Sequence, residues 1–257
     1  MIDTHAHIYL KEFRDDLDEI ISHSQSIGIS KIYMPNIDCT TIDDMLEVES
    51  RYPDYCIPMM GLHPGSVKEN FEKDLYVIEE WLSKRPFAAV GEIGIDLYWD
   101  KTFEEFQKEA FRYQIGLAKH HHLPIVIHNR NAFEETYSIV NQLNDDLLYG
   151  IFHCFTGSVA EAEKIVNLGF HLGIGGVVTY KNGGLDKVLP HVDLSHLVLE
   201  TDSPYLTPVP FRGKRNSPVY VQYVIDKISS VINLSKQNVI NITTQNAEKI
   251  FGRRTFV

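Results

Sequence analysis

Imidazole and carboxylate side chains recur where apolar runs of this chain end, and one such run carries two of them. It reads Met1-Ile2-Asp3-Thr4-His5-Ala6-His7. On a β-strand, side chains two residues apart share a face, so His5 and His7 are neighbours there. Imidazole is the commonest metal ligand near neutral pH. A lone H-x-H pair also arises by chance, so the test is whether ligand-type residues close other runs.

Four further runs have that form. They are Phe87-Ala88-Ala89-Val90-Gly91-Glu92, Pro124-Ile125-Val126-Ile127-His128, Leu148-Tyr149-Gly150-Ile151-Phe152-His153 and Leu197-Val198-Leu199-Glu200-Thr201-Asp202. Near-continuous apolar runs are the mark of strands buried on both faces, as in parallel sheets. Four histidines and two carboxylates suit two divalent ions, which together clamp the attacking and leaving oxygens of a displacement. In this reading His5 and His7 hold one ion, and His128 and His153 the other. Glu92, between the pairs in sequence, bridges them. Asp202 joins the first ion and takes the proton from the attacking water, with Glu92 and Asp202 forming the catalytic pair. Buried carboxylates at these positions need a cation; an ion pair to Arg or Lys is the ordinary alternative. Glu200 and Asp3 are candidates to orient ligating histidines, or equally to form structural salt bridges.

These residues must be positioned by regular elements. Lys31 to Pro35, Cys56 to Pro64 and Gly169 to Gly176 read as further strands. Taking positions 5, 35, 63, 92, 128, 153, 175 and 202 as strand ends, the steps run from 22 to 36 residues. An eight-unit barrel of this length has a period of about 31. Helical stretches lie between. Thr102 to Glu105 and Ser158 to Glu161 have capping-box patterns, Ser217-Pro218 is a helix start, and Asp43 to Val48 and Tyr76 to Trp81 have helical apolar spacing. Alternating strands and helices imply a parallel sheet. The expectation is an α/β protein, a (β/α)8 TIM barrel, in one domain over residues 1–257.

That topology sorts the 12 histidines. Active sites of such barrels lie at the C-terminal strand ends, where His5, His7, His63, His128 and His153 fall. His120, His121 and His122 precede a strand and belong at the other end, where a helix C-terminus favours them. His171, His191 and His196 also precede or begin strands, and His23 falls within the first helix.

With 44% hydrophobic residues the chain can bury a large core. Three cysteines, Cys39, Cys56 and Cys154, with no C-x-x-C pair, fit a reducing compartment. There is no signal-peptide pattern and no apolar run of about 20 residues to span a bilayer. A cytoplasmic enzyme without an obligate protein partner is expected. The formal charge of −11 argues against tight binding along duplex DNA, while leaving room for a local basic patch. The glycines at 173–176 and 183–184 lack the lysine and Ser/Thr of a P-loop.

The chain resembles the TatD family of metal-dependent deoxyribonucleases, within the amidohydrolase-like barrels. The resemblance rests on Asp3-Thr4-His5-Ala6-His7, Gly61-Leu62-His63-Pro64, Gly91-Glu92-Ile93-Gly94-Ile95-Asp96 and Ile127-His128-Asn129-Arg130. It continues in Phe152-His153-Cys154-Phe155-Thr156-Gly157-Ser158, Glu200-Thr201-Asp202-Ser203-Pro204-Tyr205-Leu206 and Arg212-Gly213-Lys214-Arg215-Asn216. It implies metal ligands at His5, His7, Glu92, His128, His153 and Asp202. It also implies hydrolysis of DNA phosphodiesters, single-stranded or at 3′ ends, as a 3′-to-5′ exonuclease. Two divalent ions are expected, Zn2+, Mg2+ or Mn2+. Substrate contacts are expected from His63, from Arg130, Arg212, Lys214 and Arg215 on phosphates, and from Tyr98 and Trp99 stacked on a base. A solvated basic loop and rim packing are the ordinary readings of these residues. Two other functions remain open: a metal-dependent hydrolase of another ester or an amide, and a non-catalytic nucleic-acid-binding barrel.

Overall fold

The computed structural model describes residues 1–98 and 100–252. Eight strands alternate with helices: β1 (Ile2–Asp3), β2 (Lys31–Pro35), β3 (Cys56–Met59), β4 (Val90–Asp96), β5 (Ile125–Arg130), β6 (Gly150–Phe152), β7 (His171–Ile174) and β8 (Leu197–Leu199). The helices are α1 (Leu17–Ser26), α2 (Ile42–Arg51), α3 (Phe71–Lys84), α4 (Glu104–His120), α5 (Phe133–Leu143), α6 (Val159–Asn167), α7 (Leu185–Val188), α8 (Val221–Ile232) and α9 (Lys236–Phe251). All strand pairs are parallel and sequential, β1-β2-β3 and β4-β5-β6-β7-β8. Two single bridges join the arcs, Met60 to Val90 and Ala6 to Ser203. Hydrogen bonds from Thr4 N–H to the Leu199 carbonyl (3.0 Å) and from His7 N–H to the Ser203 carbonyl (2.7 Å) reinforce the second junction. The result is the TIM barrel expected from the spacing.

Two apolar clusters follow from strand alternation. The larger includes Ile32, Met34, Ile93, Ile95, Ile125, Ile127, Leu197 and Leu199, packed against the helices. The smaller gathers Ile2, Tyr33, Met59, Ala89, Val126, Ile151 and Val198 with Ala247, Ile250 and Phe251 of α9. Phe251 stacks on Tyr33 with ring centroids 3.8 Å apart. Helix α9 therefore plugs the N-terminal end of the barrel and leaves the C-terminal end to polar side chains.

Three local expectations are revised. First, β4 does not stop at Glu92, nor β5 at His128; the strands run on to Asp96 and Arg130. Simple alternation from Val90, which faces the helices, would turn Glu92 outward as well. A register shift between Gly91 and Ile93 against β5 resets the alternation, as a bulge does, and Glu92 joins the buried polar residues at 2% exposure. Second, the Thr102 capping box does not form: α4 begins after Phe103 with no side-chain cap. Thr102 instead donates its N–H to Asp100 Oδ1 at 2.8 Å. The Ser158–Glu161 box is present in full. Third, Ser217 precedes Pro218 at a short 3-10 turn leading into α8, without a side-chain cap bond.

Candidate metal centre

The two ends of the chain's barrel seam carry His5 and Asp202, and one carboxylate ties them. Asp3 accepts from the N–H groups of His5 (3.2 Å) and Thr201 (3.0 Å) and from the Thr201 hydroxyl (2.6 Å). Asp3 thus fixes backbone and does not orient an imidazole, which corrects one expectation from the sequence. Asp202 N–H in turn donates to the His5 carbonyl at 2.9 Å. Glu200 does stand behind an imidazole: its Oε1 lies 3.2 Å from His153 Nδ1 and accepts from Cys154 N–H at 2.6 Å. Room for this carboxylate exists because residue 173 is glycine; a Cβ there would meet Glu200 Oε2 at 2.1 Å.

Glu92 stands at the middle of the cluster. Its Oε2 lies 3.1 Å from His5 Nε2 and 3.6 Å from His7 Nε2. Its Oε1 lies 2.7 Å from His128 Nδ1, 3.3 Å from His153 Nε2 and 3.6 Å from His63 Nε2. Asp202 Oδ1 stands 3.7 Å from His5 Nε2 and 3.6 Å from His7 Nε2. His5, His7 and Glu92 form one group able to hold a cation, and His5, His153 and Asp202 another. His63, Glu92 and His128 form a third.

Hydrogen bonds behind the imidazoles set which nitrogen faces the centre. The Tyr9 hydroxyl donates to the Pro35 carbonyl at 2.6 Å, so its oxygen accepts from His7 Nδ1–H at 2.9 Å. His7 Nε2 therefore presents a lone pair. His128 Nε2–H donates to Asp96 Oδ2 at 2.9 Å, which turns Nδ1 inward. His63 differs: its Nδ1 accepts from Gly65 N–H at 2.9 Å. The proton of neutral His63 then sits on Nε2, which makes that nitrogen a donor toward the centre and not a ligand.

The electrostatics divide the cluster. Burial drives His7 down to about 4 and His63 to about 3, and carries His5 well below the ordinary range. Burial acts the same way on His153, but Glu200 and Glu92 outweigh it and push that imidazole up to about 10. Hydrogen bonds to Asp96 and Glu92 likewise overcome burial at His128 and raise it. For Glu92, burial alone would raise the carboxyl. His153, His5 and His63, with the His128 hydrogen bond, hold it well below the usual range. Burial, with Glu92 and Glu200 adding to it, lifts Asp202 to about 7 against the pull of His153. Imidazole nitrogens with lone pairs, 3.2 Å apart at His5 and His7 and ringed by carboxylates, repel one another without a cation between them. The N/O donor set fits divalent zinc, manganese or a similar ion.

The cluster forms the floor of a cavity of about 950 Å3 that His7, His63, Glu92, His128, His153 and Asp202 all line. Arg130, Arg212 and Lys214 line it too. The Arg130 guanidinium lies 3.9 Å from the Tyr98 ring centre, and that of Arg212 lies 4.0 Å from the Tyr180 ring centre. Arg215 departs from expectation. It pairs with both Asp16 oxygens (2.9 and 2.5 Å), donates to the Glu12 carbonyl and covers the Phe13 ring. It is absent from the cavity wall among the described residues. Tyr98 is half exposed beneath Arg130; Trp99 lies outside the described residues. The run His120–His122 closes α4 and contributes to no metal-binding group among the described residues. Non-glycine residues with positive φ include Cys154 (47°), Asp202 (57°) and Leu206 (52°), all on the cavity wall; such backbone concentrates at functional sites. The sequence reading missed Asp96 and Tyr9, whose partners lie 32 and 2 residues away. The G-E-I-G-I-D run places Asp96 on the inward side once the bulge is known, and no shorter signal marks it.

A family described as TatD related DNase matches residues 2–252. The chain belongs to the TatD family. It is 39% identical over 252 residues to the uncharacterized metal-dependent hydrolase YabD of Bacillus subtilis, covering 98% of each. The crystal structure of YJJV, a TatD homolog from Escherichia coli, superposes with a TM-score of 0.92 at 27% identity, over 99% of this chain and 98% of that one. The crystal structure of a TatD family hydrolase from Entamoeba histolytica shares the fold, with a TM-score of 0.83 at 21% identity, over 98% of this chain and 97% of that one. Like these TatD relatives, the chain is a metal-dependent hydrolase. No helix among its described residues is long and apolar enough to cross a membrane.

Proposed function

We propose that this chain hydrolyses DNA phosphodiester bonds at single-stranded or 3′ ends, as a deoxyribonuclease that holds two divalent ions. The observation that carries this reading is the division of Glu92: one oxygen faces His5 and His7, the other His128 and His153. His5, His7 and Asp202 would hold one ion, His128 and His153 the other, with Glu92 shared. Bound divalent ions lower the pKa of water and stabilise charge on the oxygens of a displacement. The chain's own groups do the rest. Asp202, the carboxylate against the His5–His7 pair, takes the proton of the attacking water. His63 Nε2–H donates to a phosphate oxygen, since Gly65 occupies its other nitrogen. Tyr9, Asp96 and Glu200 hold the ligand rings in place. Arg130, Arg212 and Lys214 neutralise phosphates on the cavity wall. The description of the matching family as a DNase supports the choice of DNA.

The test is an end-labelled single-stranded DNA assay with Mg2+, Mn2+ and Zn2+ in turn, beside a panel of carboxyl esters and amides. Release of mononucleotides from the 3′ end is expected with at least one metal. Carbonyl hydrolysis without cleavage of any phosphodiester would replace DNA by another ester or amide.

A further inference from the structure

Large apolar side chains more than a third exposed are scattered over the described surface, and two of them, Tyr205 and Leu206, line the cavity. Tyr205 is 48% exposed. Its ring stands edge-on to His7, with centroids 6.1 Å apart. Tyr98 and Tyr180 each have a guanidinium against the ring. Tyr205 instead lines the cavity half exposed, beside the His5–His7 half of the centre.

An exposed aromatic on a floppy loop would mean little, and this loop is pinned. Tyr205 N–H donates to the Asp202 carbonyl at 2.8 Å. The fully buried Asn216 donates to the carbonyls of Tyr205 (2.6 Å) and Thr201 (2.7 Å). The Tyr180 hydroxyl holds the Thr207 carbonyl at 3.0 Å, and Val209 N–H donates to Thr179 Oγ1 at 2.9 Å. Gly176 passes so close that a Cβ would meet the Leu206 carbonyl oxygen at 2.1 Å. The segment is held in a conformation with φ of 52° at Leu206, which a leucine seldom adopts. The backbone that presents Tyr205 is the backbone that presents Asp202.

We propose that Tyr205 is the stacking platform for the nucleobase of the nucleotide whose phosphate is cleaved. This rests on the phosphodiesterase reading and adds its specificity determinant. A sugar separates base from phosphate in a nucleotide, and Tyr205 lies one ring contact from His7. A phosphate held by the ions, with its neighbours on Arg212 and Lys214, would leave its base within reach of Tyr205 on the same cavity wall. Stacking on an aromatic accepts every base, so the platform selects for a nucleotide and not for a sequence. Its position on a fixed loop spares the ordering cost of a mobile side chain.

The experiment uses the metal-loaded enzyme and two single-stranded oligonucleotides, one intact and one lacking the base at the cleaved end. For wild type, removal of the base should raise KM about tenfold with little change in kcat. Tyr205→Leu should raise KM for the intact strand by a similar factor and leave the abasic strand as in wild type, which also shows the variant is folded. Tyr205→Phe should keep the wild-type preference. Equal treatment of the two strands by wild type, or a parallel loss on both in Tyr205→Leu, overturns the platform. If wild type cleaves neither strand with any metal, the phosphodiesterase reading itself fails and takes the platform with it.

Discussion

The two halves of the proposed metal centre are built from the same side chain and buried in the same cavity, yet their imidazoles are driven in opposite directions. At His5 and His7 the supporting groups are neutral: His7 leans on Tyr9, and His5 Nδ1 is buried with no hydrogen-bond partner. At His128 and His153 the supports are carboxylates, Asp96 and Glu200. The first pair sits far below its ordinary pKa range and the second above it. A carboxylate behind an imidazole raises its basicity and its strength as a ligand. The comparison teaches that, without a cation, the second half keeps its protons to higher pH than the first.

Glu92→Gln should do the most damage, because one change weakens both halves. Turnover should fall by three orders of magnitude or about that, and elemental analysis should find less than one ion per chain, whereas a near-normal metal content would mean the bridge is dispensable. Asp202→Asn acts mainly on the first half, since Asp202 stands against both His5 and His7. It should cost about 100-fold or more in kcat and leave the ion at His128 and His153 in place; a rate above about a tenth of wild type would move the proton acceptor elsewhere.

The supports sharpen the contrast. Glu200→Gln should weaken metal binding at His128 and His153 by about 10-fold to 100-fold, measured by competition with a chelator. Tyr9→Phe removes a neutral partner and should weaken binding at His5 and His7 less. Equal effects would erase the distinction between the halves.

Protons give the same comparison a pH dependence. His153 titrates at about 10 in the folded metal-free chain against an ordinary 6.5. Its stabilisation is therefore complete below about 6.5 and is lost as pH rises toward 10. His7, depressed to about 4, stabilises above 6.5 and loses that contribution as pH falls through 4. The metal-free chain should melt lower at pH 9.5 than at pH of about 7, and the metal-loaded chain should lose this alkaline dependence. Because His153 must shed its proton to bind a cation, calorimetry in buffers of different ionisation enthalpy should show proton release on loading.

The smallest effects lie at the rim. Neutralising Arg212 or Lys214 should raise KM for DNA and flatten its log–log salt dependence by about one unit. Arg215→Ala should leave that slope unchanged. It removes a surface pair with Asp16, worth under about 1 kcal/mol, so its readout is a slightly lower melting temperature.

Much of the fold was legible because five of the eight strands belong to apolar runs closing on an imidazole or carboxylate, a pattern that needs no knowledge of neighbours. His5 and His7, two residues apart after β1, fall together in the structure for that reason. What escaped depends on pairings across the barrel. The inward turn of Glu92 needs a bulge against β5 that no residue type announces. Asp96 became visible as a support only once β4 and β5 were in register at His128. Arg215 looks like its neighbour Lys214 in sequence, but Asp16, 199 residues away, holds it. Thr102 offered a capping pattern, yet the helix starts after Phe103.

The most direct test of a Glu92-bridged pair of ions is a metal titration of the metal-free chain, with single-stranded DNA cleavage followed at each addition. We expect little activity at one equivalent per chain and a steep rise as the second is taken up. Full activity at one equivalent, with no gain from the second, would contradict the two-ion centre.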